Sequence, residues 1–117
     1  MKLSEIANVL DASILAGQDQ LDKEILKGGA SDLMSDILIA VSDGCIFLTG
    51  LVTVQAVRTA VVAGVGAMIF VRGKEPPPEV VEMARAEGVP LLSTPYSMFV
   101  SCGRLHAQGL TGLNGDR

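Results

Sequence analysis

Seven polar or glycine residues follow three apolar segments of the sequence, 45–48, 67–71 and 89–92. Their hydroxyls, guanidinium, ammonium and exposed backbone N–H groups are the groups that bind phosphate-type anions. If the three segments are parallel strands, these residues gather at the carboxyl edge of one sheet, where open α/β folds bind ligands. The predicted ligand-binding set is Thr49, Gly50, Arg72, Gly73, Lys74, Ser93 and Thr94.

Two aspartates, Asp32 and Asp36, could supply a second kind of chemistry. They are four residues apart and so share one face of a helix, where two carboxylates can hold Mg²⁺ or share a proton. Aspartates at a helix start more often cap the helix and favour its dipole. We favour the capping interpretation.

The remaining reactive side chains do not suggest a catalytic or metal site. His106 is the only histidine, and it falls near the end of a predicted helix, where it favours the helix dipole. Cys45 and Cys102 lack metal-ligand spacing and are interpreted as reduced packing cysteines. The sequence also lacks a phosphate-binding loop of the Walker type. We therefore predict no catalytic residues, no metal and no cofactor.

The elements that position the anion-binding set form strand–helix–strand units. The strand segments are continuous apolar runs, which is typical of a sheet covered on both faces. Thr53 is a helix cap and Gly64 a helix end, and a further helix opens at Pro76–Pro78 and ends at Gly88. The pair Thr94–Pro95 is predicted to cap the last helix. The fold class is α/β, a three-layer, mainly parallel sheet with helices on both faces.

The amino-terminal part is predicted to hold shorter elements. A helix over 4–10 is capped by Ser4, a strand covers 13–17, and Gly28–Gly29 breaks the chain. Helix 33–40 follows, capped by Ser31 and Asp32, with a strand at 37–41 as the alternative, and Asp43–Gly44 forms a tight turn. Residues 1–110 form a single domain, and 111–117 form a flexible tail.

The helix over 54–64 has almost no polar face. A helix that is apolar nearly all round is usually buried on more than one side. The second side is either another subunit or a neighbouring helix of the same chain, and we favour a homodimer. The predicted dimer interface is Val54, Ala56, Ala60 and Ala63.

Composition excludes two classes of partner. The net charge of -4 argues against nucleic acid, which needs clustered basic residues. The apolar stretch 37–71 is broken by polar residues too often to be a membrane span, and the amino end does not resemble a signal peptide. We expect a cytoplasmic protein.

Several short motifs resemble the DRTGG domain family: Leu48-Thr-Gly-Leu51, Gln55-Ala-Val-Arg-Thr-Ala60, Phe70-Val-Arg-Gly-Lys74, Pro90-Leu-Leu-Ser-Thr94 and Met98-Phe99. Ser31-Asp-Leu-Met-Ser-Asp36 and Gly103-Arg-Leu with Gly109-Leu110 fit the same pattern. The similarity spans about 2–110 and extends to the amino-terminal domain of HPr kinase/phosphorylase. The Asp-Arg pair of the family name is absent around Thr49–Gly50, and no phosphate-binding loop of a kinase is present.

The resemblance implies a regulatory or accessory module. We expect a non-enzymatic homodimer that binds a partner protein or a small anionic metabolite of the phosphate or nucleotide type. The alternative is a small phosphoryl-transfer enzyme or accessory that uses Arg72, Lys74 and Thr94, with Asp32 or Asp36 and Mg²⁺.

Overall fold

The computed structural model describes residues 1–40 and 44–113. Within them, helices and strands alternate along most of the chain, with a short 3₁₀ turn at Gln18–Gln20. The helices are α1 (Leu3–Val9), α2 (Met34–Ala40), α3 (Val54–Ala63), α4 (Pro78–Ala86) and α5 (Met98–Ala107). The strands are β1 (Ser13–Ala16), β2 (Lys27–Ala30), β3 (Ile46–Thr49), β4 (Ala67–Phe70), β5 (Leu91–Ser93) and β6 (Thr111–Gly112).

The strands form one sheet in the order β1-β5-β4-β3-β2-β6. All neighbours are parallel except β1, which runs antiparallel to β5. Successive side chains of each central strand point to opposite faces of the sheet, so each strand contributes side chains to two hydrophobic cores. The predicted fold class, a mainly parallel α/β sheet, is confirmed.

Each face of the sheet carries its own hydrophobic core. Phe47 and Phe70 pack with the buried side of α3 and α4 on one face. Leu48 and Ile69, on the adjacent positions, pack with α1 and α5 on the other face. The covering of both faces explains why the strands read as continuous apolar runs.

Helix α3 begins and ends where the sequence predicts. Thr53 Oγ1 accepts a hydrogen bond of 3.1 Å from the Ala56 N–H, which is an N-cap. Gly64 has a φ of 80°, and its N–H bonds to the carbonyls of Ala60 and Val61. Glycine tolerates this left-handed conformation, which satisfies carbonyls at the helix end.

The prediction of a chain break at Gly28–Gly29 is wrong, since both glycines lie inside β2. A Cβ on Gly28 would lie 3.0 Å from Leu110 Cδ2, and a Cβ on Gly29 would lie 2.6 Å from Leu113 Cδ1. Glycine therefore lets the chain after α5 pack closely against the strand.

The predicted tail begins too early. Thr111 pairs with Lys27, and Gly112 pairs with Gly28, so β6 adds a sixth strand beside β2. The last four residues of the predicted tail, 114–117, lie outside the described residues.

The predicted caps of α1 and α5 are wrong. The N-cap of α1 is Lys2, whose N–H donates to Glu5 Oε1 at 2.9 Å, and Ser4 lies inside the helix. The N-cap of α5 is Ser97, whose Oγ accepts from the Val100 N–H at 3.2 Å. Thr94 points into the interior instead.

The segment 37–40 is helical, which removes the alternative of a strand there. Residue 41, like residue 43 of the predicted tight turn, lies outside the described residues. None of the helices in the described part of the chain is long and apolar enough to cross a membrane.

Candidate functional site

The carboxyl ends of β3, β4 and β5 lie side by side, as predicted. Thr49, the last residue of β3, pairs with Phe70, the last of β4, and Phe70 pairs with Ser93, the last of β5. The turns that follow these residues therefore share one edge of the sheet.

Three donors at this edge surround one carboxylate. The Gly50 N–H donates to Asp32 Oδ1 at 2.6 Å, and the Thr49 hydroxyl donates to the same oxygen at 3.2 Å. Arg72 Nη2 lies 3.7 Å from Asp32 Oδ2. We call Thr49, Gly50 and Arg72 the oxyanion cradle, since their hydroxyl, amide and guanidinium converge on an anionic group.

Gly50 is required for this arrangement. A Cβ at position 50 would lie 2.0 Å from Arg72 Nη2, so a side chain there would displace the guanidinium. Arg72 itself has a φ of 68°, a left-handed conformation that is uncommon for a residue other than glycine. The Arg72 N–H bonds to the Tyr96 carbonyl at 2.8 Å, which fixes the turn.

Lys74 and Ser93 belong to the same edge but stabilise the turns. Lys74 Nζ donates to the Gly50 carbonyl at 2.7 Å, and the Ser93 hydroxyl donates to the Lys74 carbonyl at 3.2 Å. Both residues, with Gly73, line a neighbouring cleft of about 360 Å³. Asp11 and Glu75 also line that cleft, so it is less suited to an anion than the oxyanion cradle.

Thr94 is bonded within the chain. Its side chain is buried, as that of Thr49 also is, but its hydroxyl donates to the Leu10 carbonyl at 2.6 Å. The same oxygen accepts from the Tyr96 N–H at 3.3 Å. Thr94 therefore ties the end of α1 to the turn after β5, and its predicted role in ligand binding stays a prediction.

The two aspartates have different roles. Asp36 Oδ2 accepts from the Ser31 hydroxyl at 2.9 Å, and Ser31 Oγ accepts from the Leu33 N–H at 2.9 Å, so this pair shapes the start of α2. Asp32 does not cap α2 but reaches the oxyanion cradle. Its partners are 17 and 18 residues further along the chain. Only the pairing of β2 with β3 brings them together, so local sequence carries no signal for the contact.

The remaining candidates lie elsewhere. His106 Nδ1 is 3.3 Å from the Leu110 carbonyl, and with Cys102 it lines a cavity of about 180 Å³ between α5 and β2. Burial raises the pKa of the Cys102 thiol, which disfavours the thiolate a nucleophile needs. Among the described residues, no three histidine, cysteine or acidic side chains are grouped so that they could hold a metal ion.

The proposed dimer residues divide into buried and partly exposed positions. Ala56 and Ala60 are fully buried against the core of their own subunit, so these two side chains do not reach a partner. Val54 and Ala63 are partly exposed. Helices α2 and α4 contact α3 within the chain, which is the alternative that the sequence left open.

The fold and the edge site define an α/β domain whose polar strand ends converge on one surface. The chain belongs to the DRTGG domain family, whose model matches residues 5–107. Comparison with curated proteins found no match. The similarity to the amino-terminal domain of HPr kinase/phosphorylase stays a prediction.

A similar solved structure contains the CBS and DRTGG domains of the regulatory region of Clostridium perfringens pyrophosphatase, in complex with its activator, diadenosine tetraphosphate. The TM-score is 0.75 at 18% sequence identity, over 89% of this chain and 45% of the other. This chain therefore spans less than half of that regulatory region. The likeness establishes the fold.

Proposed function

We propose that this chain is a non-enzymatic regulatory domain of the cytoplasm that binds a small phosphate-bearing metabolite at the oxyanion cradle. The observation that carries the proposal is the convergence of three donors on one carboxylate, from Thr49, Gly50 and Arg72. A phosphate oxygen accepts from the same donors as a carboxylate oxygen. The family and the nucleotide activator of the pyrophosphatase regulatory region support a regulatory role and this class of ligand.

The alternative of a phosphoryl-transfer enzyme has less support. It depends on Arg72, Lys74 and Thr94, but the Thr94 hydroxyl donates to the Leu10 carbonyl and Lys74 Nζ donates to the Gly50 carbonyl. His106 lines the cavity beside α5 instead of the edge. General acid–base catalysis needs a titrating group within reach of the substrate. Asp32, the carboxylate at this edge, is held by the Thr49 hydroxyl and the Gly50 N–H instead.

The test measures the binding of inorganic phosphate, pyrophosphate and nucleotides by thermal unfolding and by calorimetry. A ligand at about 100 times its Kd should add about 2.7 kcal/mol, a shift of several degrees for a domain of this size. Arg72→Ala should abolish the shift because it removes the only guanidinium of the oxyanion cradle. Gly50→Ala should weaken binding too, since its Cβ collides with that guanidinium.

Two variants serve as matched controls. Arg85→Ala also removes one guanidinium, but from α4. Arg85 lines a cleft with Gly17 and Val89 at the opposite edge of the sheet. Gly103→Ala adds a Cβ with no atom within 4 Å. Both should bind as the wild type does. A wild-type protein that binds none of these compounds, or an Arg72→Ala variant with unchanged affinity, would refute the proposed function.

We also propose that the domain forms a homodimer through the outer surface of α2 and α3. Leu38 and Val62 are 56% and 74% exposed there, and both line a shallow cleft with Arg58. Gln55 and Thr59 complete its polar rim. Exposed apolar side chains inside a polar rim are the kind of surface that a twofold dimer buries. A partner protein is the other occupant that this surface would suit.

A further inference from the structure

The oxyanion cradle holds a carboxylate of its own chain, and we infer that Asp32 is a built-in competitor that a phosphate group displaces. This inference rests on the proposed function and adds its regulation. The oxyanion cradle would then select a dianionic phosphate, because a ligand carboxylate would bind the same donors no more strongly than Asp32 does.

The two carboxylate oxygens of Asp32 face all three donor groups of the oxyanion cradle. Its Oδ1 receives the Gly50 amide and the Thr49 hydroxyl, and its Oδ2 faces Arg72. A phosphate oxygen that took these donors would place a second anion against the carboxylate, and like charges repel at this distance. Asp32 therefore has to leave before a phosphate can bind to the cradle.

The Oδ2 side of Asp32 is open to solvent, while its Oδ1 bonds to Thr49, whose side chain is fully buried. The Asp32 and Arg72 side chains are 45% and 49% exposed, so water can solvate the released carboxylate. Solvent-exposed ion pairs contribute little to stability. A phosphate dianion carries more charge than a carboxylate and offers more acceptor oxygens, so it competes well for the same donors.

Displacement of Asp32 changes how α2 is attached to the sheet. Asp32 lies two residues before the start of α2, and its bond to Gly50 ties that start to the end of β3. The neighbouring tie is the Ser31 N–H to the Leu48 carbonyl at 3.1 Å. Because α2 packs on α3, ligand binding at the edge would loosen the start of a helix on the proposed dimer surface.

The experiment is calorimetric titration of pyrophosphate into the wild type, Asp32→Ala and Asp32→Asn. If Asp32 fills the cradle in about nine-tenths of molecules, its removal should tighten the apparent Kd about tenfold. Asp36→Asn is the matched control, since it removes an aspartate from the same region that bonds to Ser31 instead of the cradle. Its affinity should equal that of the wild type. Asp32→Asn keeps an oxygen for the Gly50 amide and so remains informative if Asp32→Ala is poorly folded.

Hydrogen exchange supplies the second measurement. Pyrophosphate should speed amide exchange over 33–40 in the wild type and leave it unchanged in Asp32→Ala, where the tie is already absent. Equal or weaker pyrophosphate binding by both Asp32 variants would overturn the competition while leaving the proposed function intact. Absence of binding in the wild type and in both variants would refute the proposed function as well.

Discussion

At the residue scale, Asp32 and its donors show which contacts a sequence can and cannot predict. Thr49, Gly50 and Arg72 were predictable because each follows an apolar strand in a strand–helix–strand unit. The place of Asp32 in the site was not predictable, because its contact depends on the pairing of β2 with β3, and the two glycines of β2 give it no strand pattern. Here tertiary pairing, not local pattern, decided the partner of a carboxylate.

At Thr94 a local pattern was present but misleading: the residue was predicted to cap α5 and does not. A threonine before a proline is typical of a helix cap. In this chain the cap is Ser97, three residues later, and the hydroxyl of Thr94 satisfies the carbonyl of Leu10 in the interior. A buried carbonyl needs a donor, and that requirement outweighed the capping pattern.

Tyr96 provides a direct test of the edge geometry, because it is the only tyrosine. Its hydroxyl donates to Asp11 Oδ2 at 2.5 Å, and this hydrogen bond is the main reason why its pKa is raised above 10.0. Asp11→Asn should lower the pKa of Tyr96 toward 10.0, as measured by ultraviolet absorbance of the tyrosinate. Arg104→Gln should raise it, since the guanidinium lies 4.2 Å from the ring and lowers the pKa.

The sign of the linked stability follows from the raised pKa. The folded state favours the neutral phenol, so the hydrogen bond stabilises the fold fully below the pKa of the unfolded chain. That contribution is lost as the pH rises through the higher pKa of the folded state. A pKa of Tyr96 that does not move in Asp11→Asn would contradict the contact between the two side chains.

At the element scale, the crossover units were predictable and the edge strands were not. Helix α3 has both a cap and a terminal glycine in its sequence, and β3 and β4 are apolar throughout. Strand β6 is two residues long, and β2 contains two glycines, so neither carries a strand pattern. Buried Leu110 packs beside Gly28 where the chain returns after α5, next to the pairing of β6 with β2.

The attachment of β1 to β5 can be tested at Gly17, the glycine that follows β1 and lies against Pro90. Gly17 has a φ of 86°, and a Cβ there would lie 2.7 Å from Pro90 Cα. Gly17→Ala should cost about 2–5 kcal/mol, from the left-handed conformation together with overpacking against backbone. Gly88→Ala is the matched control, with a φ of 72° and no atom within 4 Å of its Cβ.

Gly88→Ala should lose about 1–2 kcal/mol, the cost of the conformation alone. The free energies of unfolding come from urea denaturation of both variants and the wild type. Equal losses in the two variants would show that β1 does not approach Pro90 as closely as the structure indicates.

At the scale of the whole molecule, two cores leave a single side of α3 for other contacts. Ala60→Glu would place a carboxylate in the core and unfold the subunit, so it cannot report on a dimer. The exposed residues Leu38 and Val62 are the ones that a partner could bury. The interface predicted from the sequence includes two residues, Ala56 and Ala60, that the subunit itself covers.

Val62→Asp should convert a dimer to a folded monomer, because a carboxylate replaces an exposed valine at the proposed interface. Ala86→Asp introduces the same charge on the exposed side of α4 and should leave the assembly unchanged. Analytical ultracentrifugation distinguishes the two states, and circular dichroism checks the fold. A monomeric wild type, or a Val62→Asp variant that remains dimeric, would refute this interface.

The bond from Thr94 to Leu10 spans 84 residues and sets an order of events during synthesis. At about 5–20 residues per second, α1 and β1 leave the ribosome roughly 4–17 s before the turn after β5 that holds them. Throughout that interval Leu3, Ile6 and Leu10 have no α5 to pack against. Residues 3–10 therefore stay unenclosed until α5 has been made, and during that interval they are exposed to aggregation and to proteases.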